Sequence, residues 1–291
     1  MAALIVVNLL SSCNNDPSSE EDAGAKTKET VLTGVILMAE TGTERIIPWM
    51  WDPIRWEYDS NDKVNKYDGA EVSYPDNSIQ LTKISDYTTM MEYDTVLIIS
   101  TAGRLSQIVH SYRDVWVDNR VSYTVSIRDY HYDEQGFLVK ITDPKMGKRE
   151  TYRATIQNGN IAKAETFGYS VLDGALAKTI TYNYTYDTKD FVPMSDWAPY
   201  TPIFLSENRF ILSDKLLGKK NKNNITSVEV QYQPSESQAH INRFTYEPEY
   251  DEQNILIAVK HTGQFTAYQG SGGQAVSFDN AKTLFLYTEK K

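Results

Sequence analysis

Along most of this chain, apolar residues recur at every second position and almost nowhere at the spacing of a helix. The clearest run is 176–186. Leu176, Ile180, Tyr182, Tyr184 and Tyr186 share one face, broken only by Lys178, while Ala177, Thr179, Thr181, Asn183 and Thr185 share the other. A period of two fits a strand with one packed face and one wet face. Residues 121–132 begin alike, with Val121, Tyr123, Val125 and Ile127, then change phase to Tyr130 and Tyr132. That change predicts a β-bulge near Arg128 and Asp129. Strand-like runs continue at 30–39, 53–58, 78–84, 93–100, 104–111, 160–169, 225–232, 241–247, 254–261 and 282–287, joined by short polar or glycine-bearing links. Asn158-Gly159 predicts a type I′ turn, which needs positive φ at both central positions. Asp173-Gly174 and Gln135-Gly136 read similarly. The 20 tyrosines suit pleated, half-buried surfaces. The fold class that follows is all-β: one large antiparallel meander, curled or barrel-like, forming a single domain over 30–291.

One unit recurs. Tyr132-Asp133-Glu134-Gln135-Gly136-Phe137-Leu138 is strand, turn, strand, and Tyr250-Asp251-Glu252-Gln253-Asn254-Ile255-Leu256 repeats it with Asn254 in place of glycine. Asn accepts the left-handed conformation better than most residues. Residues 101–108 are a weaker copy. The segment 188–213 breaks the rhythm with Pro193, Pro199 and Pro202 among Trp197, Tyr200 and Phe204. A link of that length is either functional or carries structure of its own.

The N-terminus reads differently. Residues 1–12 hold a short apolar run that ends in Leu10-Ser11-Ser12, directly before Cys13, the one cysteine of the chain. This resembles a bacterial lipobox, with 1–12 as a lipoprotein signal peptide and Cys13 as the lipid attachment site. The run lacks a basic start and is interrupted by Asn8, as a truncated gene start would leave it. The ordinary alternative is an apolar N-terminus beside a buried thiol. Residues 13–29 are polar and carry Glu20-Glu21-Asp22, the composition of an acidic flexible tether. Such a stretch also resembles a surface-export signal of Bacteroides-type lipoproteins. The expected partner is then a membrane, held through N-terminal lipid, with the protein at the outer membrane and either exposed at the surface or facing the periplasm.

Net charge is -10, with 39 acidic against 29 basic residues. That argues against nucleic acid, whose binders show a basic footprint. With Cys13 given to lipid, no thiol is left for a disulfide, a nucleophile or a cysteine metal site. No cofactor motif is found. Ser271-Gly272-Gly273 lacks the lysine and helix of a phosphate loop.

From about residue 80 onward the chain resembles a family of Bacteroides-type envelope lipoproteins of unknown function with a porin-like β fold. The resemblance rests on the 132–141 hairpin, on Tyr184-Thr185-Tyr186-Asp187 before the proline-rich segment, and on Leu216-Leu217-Gly218-Lys219-Lys220-Asn221-Lys222-Asn223-Asn224 before a strand. It implies a large antiparallel sheet and brings no activity, cofactor or site. A membrane-spanning barrel is not expected, because the faces opposite the apolar residues carry Thr, Asn, Ser, Lys and Glu.

Candidate chemistry is sparse. Asp129, His131 and Asp133 alternate along one strand face and are a weak metal candidate; a solvated strand end is the favoured reading. Asp59-Ser60-Asn61-Asp62 suggests calcium, but Lys63 stands where a further ligand belongs, and a turn is favoured. Trp49, Trp51 and Trp56, and separately Trp197 and Tyr200, are candidate ligand-binding aromatics, since flat rings stack on sugars; core or sheet-edge packing is the competing role. Asp94-Thr95-Val96 resembles a short O-glycosylation sequence. The expected function is a lipid-anchored envelope binding or interaction module for a glycan or another envelope protein, and no catalytic residue is nominated. Two alternatives stay open: a hydrolase acting on glycan or cell wall, and a structural or lipid-holding barrel-like protein.

Overall fold

The protein is described here as a computed structural model over residues 30–39, 54–60, 63–67, 70–86, 91–115, 121–170, 173–192, 214–234, 240–253, 255–269 and 272–289. Sixteen strands occupy them: β1 (Thr30–Ala39), β2 (Ile54–Tyr58), β3 (Val64–Tyr67), β4 (Ala70–Ser73), β5 (Ser78–Asp86), β6 (Met91–Ile99), β7 (Leu105–Val115), β8 (Val121–Tyr132), β9 (Leu138–Asp143), β10 (Arg149–Gln157), β11 (Asn160–Tyr169), β12 (Leu176–Asp190), β13 (Asn223–Pro234), β14 (His240–Tyr250), β15 (Leu256–Gln269) and β16 (Gly272–Glu289). Each pairs antiparallel with its sequence neighbour, and β16 returns to β1 from Thr30–Glu289 to Ala39–Ala281. The ring of pairings closes through a narrow join between β1 and β2, Gly34–Arg55 and Val35–Ile54.

The alternation read from the sequence decides what fills the lumen. On β12, Tyr182 and Tyr184 are buried, while Asn183 between them and Thr185 after them are exposed. The register places Ala164 of β11 and Val230 of β13 beside Tyr182, then Phe244 of β14 beside Val228. All are nearly inaccessible and belong to one continuous core with Leu97, Ile108, Tyr130, Ile141 and Tyr152. Lys178, the break in the β12 pattern, sits opposite Gly168, and its stem lies over the space a side chain there would take.

The bulge expected at Arg128 is absent. The β7–β8 register runs unbroken from Val115–Val121 to Gln107–Asp129. The change of phase is a change of face. Tyr130 is buried in the lumen, so Arg128 shares its side, and Val125 and Ile127 point outward. Ile127 lies beside Val109, which lies beside Val96, so outward apolar residues form a cross-strand strip on β6–β8. The buried partner of Arg128 is Asp143, at 2.5 Å, and its carboxylate also accepts the amides of Lys145 and Met146 in a 3₁₀ turn at Pro144–Met146.

Because neighbours in sequence are neighbours in the sheet, every link from an even- to an odd-numbered strand lies at one end. The recurring turn is found there. Asp133 Oδ1 accepts the amide of Phe137 at 2.9 Å, and Asp251 Oδ1 accepts that of Ile255 at 2.8 Å. The weaker copy uses Ser100 Oγ with the Arg104 amide. A further copy is Asp59, whose carboxylate accepts the Lys63 amide at 3.0 Å. The Asp59 sequence is therefore turn chemistry. At 158–159 both residues have positive φ, as the type I′ reading requires.

Residues 216–224 form a strap across this same end. Leu216 and Leu217 are buried, Gly218 bridges Phe137, and Lys219 N donates to Gly136 O at 2.8 Å. Lys222 N donates to Gly159 O, and the asparagines complete the staple. Asn221 Oδ1 accepts the Ile161 amide, Asn223 and Asn160 bond reciprocally, and Asn224 binds Asp187 and the Val192 amide. The segment expected as a loop over 188–213 starts later, because β12 continues to Asp190; residues 193–213 lie outside the described residues.

Gly218 has φ +84, and a Cβ there would run into Gly136 O and the Tyr132 ring. Gly218→Ala is expected to cost about 1–3 kcal/mol of backbone strain plus displacement of the strap. Gly103→Ala, at φ +72 with open space around it, carries the strain alone and loses less. Urea denaturation of the two variants checks this order.

Candidate functional site

At the end opposite the strap, the links run from odd- to even-numbered strands. Here the lumen changes character. Thr95 and His110 are both buried and share a 2.8 Å hydrogen bond between Oγ1 and Nδ1. Arg128 and Asp143 form the buried ion pair; His261 lies lower, within the tyrosine layer, buried against Tyr246 at 6.5 Å between ring centroids. A polar layer thus lies above the tyrosine layer. Paired and bonded, such groups are tolerated inside a barrel; a lone partner would be costly.

Two hairpins form the low part of this end. Asp129–Thr142 is the last β8–β9 pair toward it, while β8 continues alongside β7 to Val121. The short β9–β10 and β11–β12 turns therefore make a step beside a taller hairpin. Lys145 Nζ donates to Val125 O at 2.6 Å and Arg128 Nη1 to Ile127 O at 2.9 Å, occupying two carbonyls on the side of β8 left by β9. Arg149 sits 5.2 Å over the Tyr169 ring and donates to Gly174 O, while Tyr169 Oη donates to Glu150 O at 2.9 Å. Asp173 is held below the usual carboxylate range, chiefly by the Ala175 amide, with a smaller contribution from Arg149.

Asp129, His131 and Asp133 are each otherwise engaged. Asp129 accepts from Gln107 Nε2 at 2.7 Å, His131 Nε2 bonds Thr142 Oγ1 at 2.9 Å, and Asp133 closes its turn. The His131 pKa is lowered, first by burial and then by Lys140, with Lys148 acting in the same direction and Asp129 against it. Among the described residues no group of three His, Cys, Asp or Glu is placed to hold a metal ion. Thr95 is fully buried, so the Asp94-Thr95-Val96 sequence presents no hydroxyl to a glycosylating enzyme in the folded protein. Of the aromatic candidates, Trp56 lies on β2 opposite Tyr67 of β3. Trp49, Trp51, Trp197, Tyr200 and Cys13 lie outside the described residues.

Sequence reasoning missed the polar lumen layer and the step. Its signal was present in part: Lys178 breaking an apolar face, and five basic residues against two acids between positions 140 and 153 of an acidic chain.

No protein-family model matches the sequence, and no curated protein matches it. Among solved structures, the chain is similar to a porin-like protein from Bacteroides vulgatus, with a TM-score of 0.53 at 12% identity, covering 88% of this chain and 97% of that one. A porin-like protein from Bacteroides uniformis aligns over 75% of this chain and 95% of its own, at 13% identity and a TM-score of 0.25. The first likeness is one of fold, the large antiparallel β architecture; the second overlay is too poor to add to it.

Burial lowers the His261 pKa from 6.5 to about 4. The folded state keeps this imidazole neutral while the unfolded chain takes up a proton below 6.5, so stability falls as pH drops from about 6.5 toward 4. The slope from this group approaches about 1.4 kcal/mol per pH unit. Urea midpoints at pH 7, 5.5 and 4.5 are expected to fall for the wild type and to fall less for His261→Leu.

Proposed function

We propose that this protein is a lipid-anchored cell-envelope protein whose barrel is a binding or interaction module standing in water. The observation that supports this is the polarity of the wall. Lumen-facing side chains are apolar and aromatic in the middle and strapped shut at one end. The outer face of the described strands from β9 onward carries Arg243–Glu229 at 2.7 Å, Lys260–Glu249 at 2.5 Å, Lys163–Glu165 at 2.9 Å and the Thr245–Thr262 hydroxyl pair. A membrane-spanning barrel reverses this, with an apolar outer band and a polar lumen. The outward apolar strip of β6–β8 gives way to these polar pairs on β11 and β13–β15 among the described residues.

The topology suits a tether at Cys13. β1 begins beside the end of β16, at the strap end, so the preceding residues join the barrel there and the step points away from the point of attachment. The partner classes remain a glycan or another envelope protein. The hydrolase reading finds no support in the buried carboxylate: Asp143 is held by Arg128 and two backbone amides. The lipid-holding reading needs free lumen, and the described core residues are packed against one another.

Two measurements test the proposal. Metabolic labelling with palmitate is expected to mark the wild type and not Cys13→Ala. Unlipidated Cys13→Ala is expected to stay monodisperse without detergent and to give no conductance steps in a planar bilayer. Discrete conductance, or precipitation without detergent, contradicts the aqueous module.

A further inference from the structure

The step opposite the strap is basic in an acidic protein. The β9–β10 turn carries Lys145, Lys148 and Arg149, and the start of β12 brings Lys178 to the same step, opposite Gly168. Lys145, Lys148 and Lys178 are exposed, and Arg149 is half-buried. Of the acids nearby, Asp143 is paired with Arg128 and Glu150 with Arg153 Nε at 2.8 Å, and Asp173, ionised beside Arg149, is the one left against the four cations. The net character of the step is therefore cationic, although the chain as a whole is at -10.

We infer that this step binds an acidic polysaccharide laid across its rim, with Lys148 and Arg149 meeting its carboxylate or sulfate groups beside the Tyr169 ring on the outer side and Lys178 meeting them from the lumen side. The inference deepens the binding-module reading above and rests on it. Three observations favour a polysaccharide. Arg149 is pre-oriented, its guanidinium fixed by Gly174 O and lying over Tyr169, so an anion meets a placed fork instead of a free side chain. An aromatic ring next to cations matches a sugar ring bearing an acid group. The step also faces away from the strap end, where the tether would enter, so a ligand outside the anchoring membrane reaches it without crossing that surface.

The test uses full-length Cys13→Ala, with and without Lys148→Glu and Lys178→Glu, and titrates polygalacturonate, heparin, a neutral glucan and vesicles of anionic phospholipid. Binding of at least one acidic polysaccharide is expected, weakening as salt rises from 50 to 300 mM. The doubly reversed variant is expected to bind about tenfold or more weakly, at unchanged melting temperature. Three results overturn the inference: no binding of either acidic polysaccharide, equal binding by the reversed variant, or equal affinity for anionic vesicles. If the neutral glucan binds while the acidic chains do not, the assignment to this step fails and the binding-module reading stands. If nothing binds and the bilayer shows conductance, both fail.

Discussion

A ring of sixteen strands encloses more space than short side chains fill, and rings of this size ordinarily hold water. The rest of this structure depends on how that space is closed. Large tyrosines on alternate positions of β10, β12 and β14 supply much of the volume: Tyr152, Tyr182, Tyr184 and Tyr246 are buried close enough to influence one another electrostatically. Burial raises the hydroxyl pKa values of Tyr152, Tyr182 and Tyr184, to about 12 for Tyr182, so these stay neutral. Where a hydroxyl reaches the margin of the core it takes a backbone carbonyl, as Tyr186 does with Ile161 O at 2.7 Å and Tyr74 with Val64 O at 2.8 Å. Tyrosine suits this lumen because its ring fills space and its tip satisfies a main-chain group.

The two ends solve different problems. At one, many backbone groups in six short turns and a long link must be satisfied, and the 216–224 strap does so with its asparagines. The Asn223 and Asn224 side chains each donate and accept, and Asn221 Oδ1 accepts, so the three serve several strands and turns together. At the other end the sheet is uneven. β8 outruns β9, and Lys145 and Arg128 cover the carbonyls exposed by that mismatch. Cations serving a strand margin also charge the step, which links the shape of the sheet to the chemistry of its surface.

Much of the fold was legible in single residues. The tyrosine alternation of β12, the Asn158-Gly159 turn and the Tyr-Asp hairpin units were readable because they rest on local rules of period and turn geometry. The phase change in β8 was also visible, but its cause was not. A bulge and a switch of face leave the same pattern in one strand, and only the unbroken pairing with β7 separates them. The candidate site was legible only as an anomaly at Lys178 and a local excess of basic residues, because its members come from turns on different hairpins. Asp129, His131 and Asp133 looked like a set by spacing, yet their partners, Gln107, Thr142 and Phe137, lie on other strands or across a turn.

The chain's own order of residues determined that it forms strands, where many of them turn, and which face of β12 is wet. These follow from a two-residue period, φ preferences and side-chain polarity, all of which act over a few positions. Tertiary structure alone decided that the ladder closes, that the strap shuts one end, and that Arg128 meets Asp143 inside. Closure depends on Thr30 finding Glu289 and on Asn160 finding Asn223, contacts between residues far apart in the chain whose formation no local preference records.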